Sequence, residues 1–164
     1  MPQNQSRDAR PGEAPAGGQP AKSACLADQT ARVLAAYAYG VDHRDEQALR
    51  TVFWPDADLG EGGVQGLIAW VTQFSRPGCA HHITTHHVQL EEPDKARAYT
   101  LFIASSPGEA GTVEFAGGRY LDLFECRGGR WAVTRRRVEI DWQVTAPRGV
   151  SPQGEGKDRK GVKK

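Results

Sequence analysis

The stretch Leu67-Ile68-Ala69-Trp70-Val71-Thr72-Gln73-Phe74-Ser75-Arg76-Pro77-Gly78-Cys79-Ala80-His81-His82-Ile83 holds the one change of hydrophobic period in the chain. Up to Phe74 the large apolar residues recur at helical spacing, which predicts an amphipathic helix over residues 66–74. Beyond Pro77-Gly78 the pattern is that of strands. Residues 82–91 and 96–104 read as two strands joined by a turn at Pro93-Asp94. Residues 113–126 follow after a Ser-Pro-Gly loop, and residues 131–144 follow the turn Arg127-Gly128-Gly129-Arg130.

Upstream of this boundary the chain is helical. In residues 26–41, Val33, Leu34, Tyr37 and Val41 fall on one face, Asp28 is placed to cap the first turn, and Gly40 sits near the end. Asp45 then reads as the N-cap of a short second helix, running to about Phe53 and stopped by Pro55. Three helices followed by a meander of long antiparallel strands define an α+β class. Helices stacked on the concave face of such a sheet make a cone-shaped α+β barrel with an apolar interior.

The termini differ from this core. Residues 1–25 contain four Pro and three Gly but no Val, Ile, Leu, Phe, Tyr or Trp, and residues 147–164 offer only Val150 and Val162. Such segments cannot offset the entropy of ordering, so both are expected to be disordered tails around one domain at residues 26–146. The chain of 164 residues carries 21 Lys and Arg against 20 Asp and Glu, a near-zero balance that argues against binding nucleic acid through phosphate neutralisation. The last 18 residues hold six bases and two acids and the first 22 hold three and two, which leaves 12 bases and 16 acids between them. The domain itself is therefore acidic. No apolar run approaches the roughly 20 residues of a membrane span, and the polar N-terminus has no segment of the signal-peptide kind. Three cysteines without metal-type spacing, Cys25, Cys79 and Cys126, point to a reducing cytoplasm.

Three features could carry chemistry. Asp42, at the C-terminal end of the first helix, meets the negative end of the helix dipole and needs a compensating partner. It is either a cavity residue holding a histidine or substrate group, or a turn residue bonding backbone. The run Cys79-Ala80-His81-His82-Ile83-Thr84-Thr85-His86-His87 holds four of the five histidines. Strict alternation places His82, Thr84 and His86 on one face and His81, Ile83, Thr85 and His87 on the other. Two histidines on one face fall short of the three or four ligands of a zinc site, so no metal is expected. A histidine beside a carboxylate serves better as a general base. Finally, Arg135-Arg136-Arg137 must turn at least one guanidinium inward, where it needs an acid such as Asp122 or Asp42, or an anionic substrate atom.

The stretches Leu34 to Asp45, Leu49 to Phe53, Pro55-Asp56-Ala57, His81 to Val88, Gly118 to Asp122 and Gly129 to Val133, with Arg136, together resemble SnoaL-like proteins of the nuclear-transport-factor-like superfamily. The resemblance covers residues 26–146 and is nearest to the dehydratase and dehydrochlorinase branch. It implies a cone with a curved antiparallel sheet, no cofactor and assembly into homodimers or homotrimers. It also implies a His-Asp dyad formed by His82 and Asp42, with Tyr37 as proton donor and Arg136 as a cavity arginine. His86 stands where the pattern usually has Asn, as a substrate contact. Leu67, Trp70, Phe102, Phe115, Tyr120 and Trp142 are expected to line the cavity. The activity implied is elimination from a small apolar, steroid-like or polyketide-like molecule. A cyclase or isomerase of the same fold and a non-catalytic binding or accessory protein are the rival readings. The strand Tyr99-Thr100-Leu101-Phe102-Ile103-Ala104 lacks the internal acids that epoxide-hydrolase or ketosteroid-isomerase chemistry would need.

Overall fold

The computed structural model describes residues 19–74 and 78–149. Helix α1 spans Gln19–His43, α2 Glu46–Val52 and α3 Gly63–Phe74. Strand β1 covers Phe53–Asp58, β2 Ala80–Glu92, β3 Lys95–Pro107, β4 Thr112–Arg127 and β5 Arg130–Pro147. The five strands form one sheet in the order β1-β5-β4-β3-β2. The four long strands are antiparallel neighbours, and β1 joins β5 in parallel at the edge. Three helices on a mixed, unclosed sheet make an α+β fold, as the period change predicts.

Helix α1 buries Leu26, Thr30, Leu34, Tyr37 and Val41, one residue per turn along a single stripe. It begins earlier than residue 26, so residues 19–25, expected in the tail, are helical. Asp28 consequently lies inside the helix rather than at its cap, and it pairs with Arg32 at 3.0 Å. The remaining tail residues, 1–18 and 150–164, lie outside the described residues. Arg44 adopts a left-handed φ of 57°, and the amide of Asp45 donates to the carbonyl of Gly40 at 2.9 Å, closing the helix. Asp45 then caps α2 by accepting from the Ala48 amide at 2.9 Å, as expected. A Cβ on Gly40 would lie 2.8 Å from Leu49 Cγ, so glycine is what lets α1 and α2 approach this closely.

Two features depart from the sequence expectation. Phe53, expected to end a helix, instead opens β1, an edge strand containing Pro55 that pairs with β5 only at Phe53–Val133 and Asp58–Arg135. The second departure is in β2. Ile83 pairs with Phe102 and Thr85 with Leu101, leaving Thr84 as an extra residue in a β-bulge. An extra residue exchanges the two faces of the strand. His81 and Ile83 before the bulge therefore share the helix-facing side with His86 and Val88 after it, and all four are partly buried.

The core lies between this face and the three helices, around Leu34, Tyr37, Leu49, Phe53, Tyr120 and Phe124. The opposite face of the sheet leaves Tyr99, Ile103, Trp142 and Val144 exposed. Among the described residues no helix is long and apolar enough to cross a membrane.

Candidate active site

Asp42, in the last turn of α1, meets β2 at its first residues. Its Oδ1 lies 2.6 Å from His81 Nδ1, and its Oδ2 accepts from the backbone amide of His81 at 3.0 Å. A carboxylate only accepts, so the Nδ1 proton points to Asp42 and Nε2 is left as the basic nitrogen. These two bonds also supply the compensation that a carboxylate at a helix C-terminus requires. Both side chains retain about 15% exposure, 15% for His81 and 16% for Asp42. Their pairing is therefore neither sealed in the core nor loose on the surface.

The histidine that pairs with Asp42 is thus His81, not His82 as expected. The bulge at Thr84 sends His82 to the other face, where it is exposed and paired in register with Ile103. The same displacement brings His86 inward, though not into a cavity. Its Nε2 lies 2.9 Å from Thr30 Oγ1, and its Nδ1 lies 2.9 Å from Thr100 Oγ1. Thr30 already donates its hydroxyl proton to the Leu26 carbonyl at 2.9 Å, so it accepts from Nε2–H, and Nδ1 accepts from Thr100. Burial lowers the pKa of His86, partly opposed by Asp122, and the ring is neutral. With both nitrogens occupied, His86 is a structural residue rather than the expected substrate contact.

Arg136 is the inward member of its run. It forms a two-bonded pair with Asp122, Nε to Oδ1 and Nη2 to Oδ2, both at 2.7 Å, with side-chain exposures of 4% and 0%. Burial disfavours its charge, but the facing Asp122 carboxylate outweighs burial and keeps the guanidinium protonated. The guanidinium carbon sits 4.3 Å from the ring centres of both Tyr37 and Tyr120. Its Nη1 is buried with no hydrogen-bond partner. Arg135 and Arg137 both reach outward to Asp58 of β1, at 3.0 and 2.9 Å.

Two cavities open around these groups. One of about 700 Å³ is lined by His81, Cys79, Val41, Trp70, Ala104 and Phe115, among others. The second, of about 580 Å³, is lined by Tyr37, Arg136, Phe53, Leu67, Trp70 and Val138, among others. Trp70 is shared by the two. Tyr37 stands between His81 and Arg136, its ring 6.2 Å from that of His81, 4.3 Å from the Arg136 guanidinium carbon and edge-on to Tyr120 at 5.5 Å. Burial holds the Tyr120 phenol far above its usual range, and a hydrogen bond with Tyr37 adds to the effect.

Of the expected residues, the structure places Trp70 and Phe115 at the His81 cavity beside Asp42, and Tyr37, Arg136, Leu67 and again Trp70 at the second cavity; it brings the others to neither. Phe102 and Tyr120 are buried in the core and stacked on each other at 4.3 Å, behind the cavity wall. Trp142 lies on the outer face of the sheet over Gly117, where a Cβ would come within 2.2 Å of its indole. The bulged register between Gly117 and Gly118 seats it there. His81 was visible in the sequence as one of four clustered histidines, and only the bulge distinguishes it from its neighbour. Among the described residues no group of three or more His, Cys, Asp or Glu is arranged to hold a metal ion.

The profile of the SnoaL-like domain family matches residues 24–137, most of the chain. The protein belongs to that family. No curated protein matches it in sequence. Among solved structures it is similar to a candidate scytalone dehydratase from Novosphingobium aromaticivorans, at 17% identity and a TM-score of 0.67, covering 81% of this chain and 99% of that one. It is also similar to the hexachlorocyclohexane dehydrochlorinase LinA-type3 from Novosphingobium barchaimii, at 20% identity and a TM-score of 0.67, with 80% and 97% coverage. A nuclear transport factor 2-like protein from Salmonella enterica matches at 11% identity and a TM-score of 0.63, with 82% and 98% coverage. At these identities the likeness establishes the fold, an NTF2-like α+β architecture.

Proposed function

We propose that the protein is a cofactor-independent lyase of the dehydratase or elimination type, acting on a small apolar ring molecule. The observation that carries this reading is the double clamp of Asp42 on His81 at the wall of a cavity of about 700 Å³. A ring held by a carboxylate through Nδ1 at the wall of a cavity is a positioned general base. The dehydrochlorinase and dehydratase descriptions of the structural neighbours support the same chemistry.

In this scheme His81 Nε2 removes a proton from a carbon next to a carbonyl or leaving group. The electrons of that C–H bond form the new double bond as the carbon–heteroatom bond breaks. Tyr37, with its ring 6.2 Å from that of His81 and at the wall of the second cavity, is placed to donate to a departing oxygen. Arg136, which lies over the Tyr37 ring and lines the neighbouring cavity, lends positive potential to that side of the site through its fixed charge without contacting the substrate.

Incubating the full chain with cyclic β-hydroxy ketones and chlorinated cyclohexanes, and following loss of water or hydrogen chloride by mass spectrometry, tests the assignment. His81→Ala and Asp42→Asn are expected to slow turnover on the order of a hundredfold or more, whereas His82→Ala leaves it within about twofold. Equal losses in His81→Ala and His82→Ala would remove the dyad from the mechanism.

A further inference from the structure

The base and the proton donor of the proposed reaction open into different cavities. His81 lines the first and Tyr37 lines the second, and Trp70 is the one residue that lines both. Distance does not divide them, because the two rings lie only 6.2 Å apart. A molecule that meets both groups at once must therefore lie across the Trp70 side chain. Helix α3 does not need this indole for its packing, since its buried stripe is Val64, Ile68 and Val71. Trp70 instead leaves about half of its surface in water.

The sheet beneath runs from one cavity to the other without a wall. On β4, Ala116, Gly118 and Tyr120 alternate onto the helix-facing side, and directly paired residues share a face. Their partners on β5 are Gln143, Ile140 and Val138, with Asp141 as the extra residue of a bulge. Val138 lines the second cavity while Ala116 and Gln143 line the first, so only Ile140 and Gly118 lie between the two along these strands. Gly118 raises no side chain there, and a Cβ on it would collide with the Glu139 carbonyl. Val138 and Ile140 are, like Trp70, about half exposed. Single exposed apolar residues are ordinary, but three bordering one opening form a patch that water wets at a cost and a flat apolar ligand covers.

We infer that the two cavities are halves of one substrate site bridged by the Trp70 indole, and that the substrate is a planar molecule of two or more joined rings. One ring lies against His81, the other reaches Tyr37, and the indole stacks on the span between them. From Val138 to Gln143 the face extends roughly 13 Å, a length suited to joined rings rather than to one. The inference rests on the reading of the His81 cavity as the substrate site.

Titration calorimetry of the full chain with 4-phenylcyclohexanone tests this. One molecule is expected to bind per chain. Trp70→Ala weakens binding about tenfold and Trp70→Phe, which keeps a ring to stack, by less than about threefold. Ala104→Leu obstructs only the first cavity and Val138→Trp only the second, and each is expected to weaken binding about tenfold or more, because one ligand needs both halves. Ala116→Leu and Leu67→Trp replace them if either lowers the melting midpoint. Binding changes the tryptophan emission of the wild type and of Trp142→Phe, but not that of Trp70→Phe. Two molecules per chain, wild-type affinity with either half obstructed, an emission change that survives in Trp70→Phe, or no binding overturns the inference. Its failure is distinct from that of the lyase reading. Single-site binding without turnover of any two-ring β-hydroxy ketone keeps the joined site and rejects the lyase, whereas turnover in a chain that binds two molecules independently does the reverse.

Discussion

His81 and His86 stand on the same face of β2, either side of one bulge, and the protein uses them in opposite ways. His81 gives one nitrogen to a carboxylate and leaves the other toward a cavity. His86 gives both nitrogens to threonines within the packed interface of α1, β2 and β3. Behind them the same contrast recurs within one side chain. Arg136 spends Nε and Nη2 on Asp122 and keeps Nη1 free. What separates the cavity-lining groups from the structural ones here is therefore not residue type or burial. It is whether any hydrogen-bonding capacity is left over once the fold has been satisfied.

This contrast can be broken from its structural side first. Asp122→Ala leaves the fully buried Arg136 charge without its partner, and a loss of about 3–5 kcal/mol in urea unfolding is expected. A loss below about 1 kcal/mol would mean that the pair does little for the fold. His86→Ala strands Thr100 and removes two hydrogen bonds, with an expected cost of about 1–3 kcal/mol and unchanged turnover on any substrate the wild type processes. A turnover defect as large as that of His81→Ala would erase the distinction between the two histidines.

The smallest effect is the pH dependence. The folded pKa of His86 lies below its ordinary value of 6.5 because burial penalises the charged ring. As pH falls below that value the unfolded chain takes up the proton before the folded one does, so stability is complete above it and declines below it. Thermal midpoints measured from neutral pH to about pH 5 are expected to fall more steeply for the wild type than for His86→Asn, which bonds without titrating in this range. Parallel profiles would show that His86 does not carry the effect.

Much of this arrangement is legible in the sequence, for local reasons. The stripe of α1, the Asp45 cap and the switch from helix to strand after Pro77-Gly78 all depend on neighbours a few residues away. So does the conclusion that an arginine run in a strand must send one member inward, and Asp122 is among the partners expected for it. The assignment of His81 over His82 is not local. It depends on the extra residue at Thr84, which exists only relative to the register of β3. The role of His86 depends on Thr30, 56 positions away. Strand β1 is not legible in the sequence because it contains a proline and has little alternation of its own. Its conformation is imposed by β5 and by the hold of Asp58 on Arg135 and Arg137.

That same strand bears on how the chain reaches its fold. The ladders from β2 to β5 join elements that follow one another along the chain, and they close through short turns. Pairing β1 with β5 must instead bring Phe53 to Val133 across the whole meander, so the entropy of closing that loop is met by only a few contacts. The edge is therefore expected to dock after the meander has formed and to open before it, exchanging its amide protons sooner than the strands beside it. Phe53 and Arg136, which face the second cavity, lie along this seam. The last part of the sheet to assemble is thus the part that completes the wall of the second cavity around Arg136.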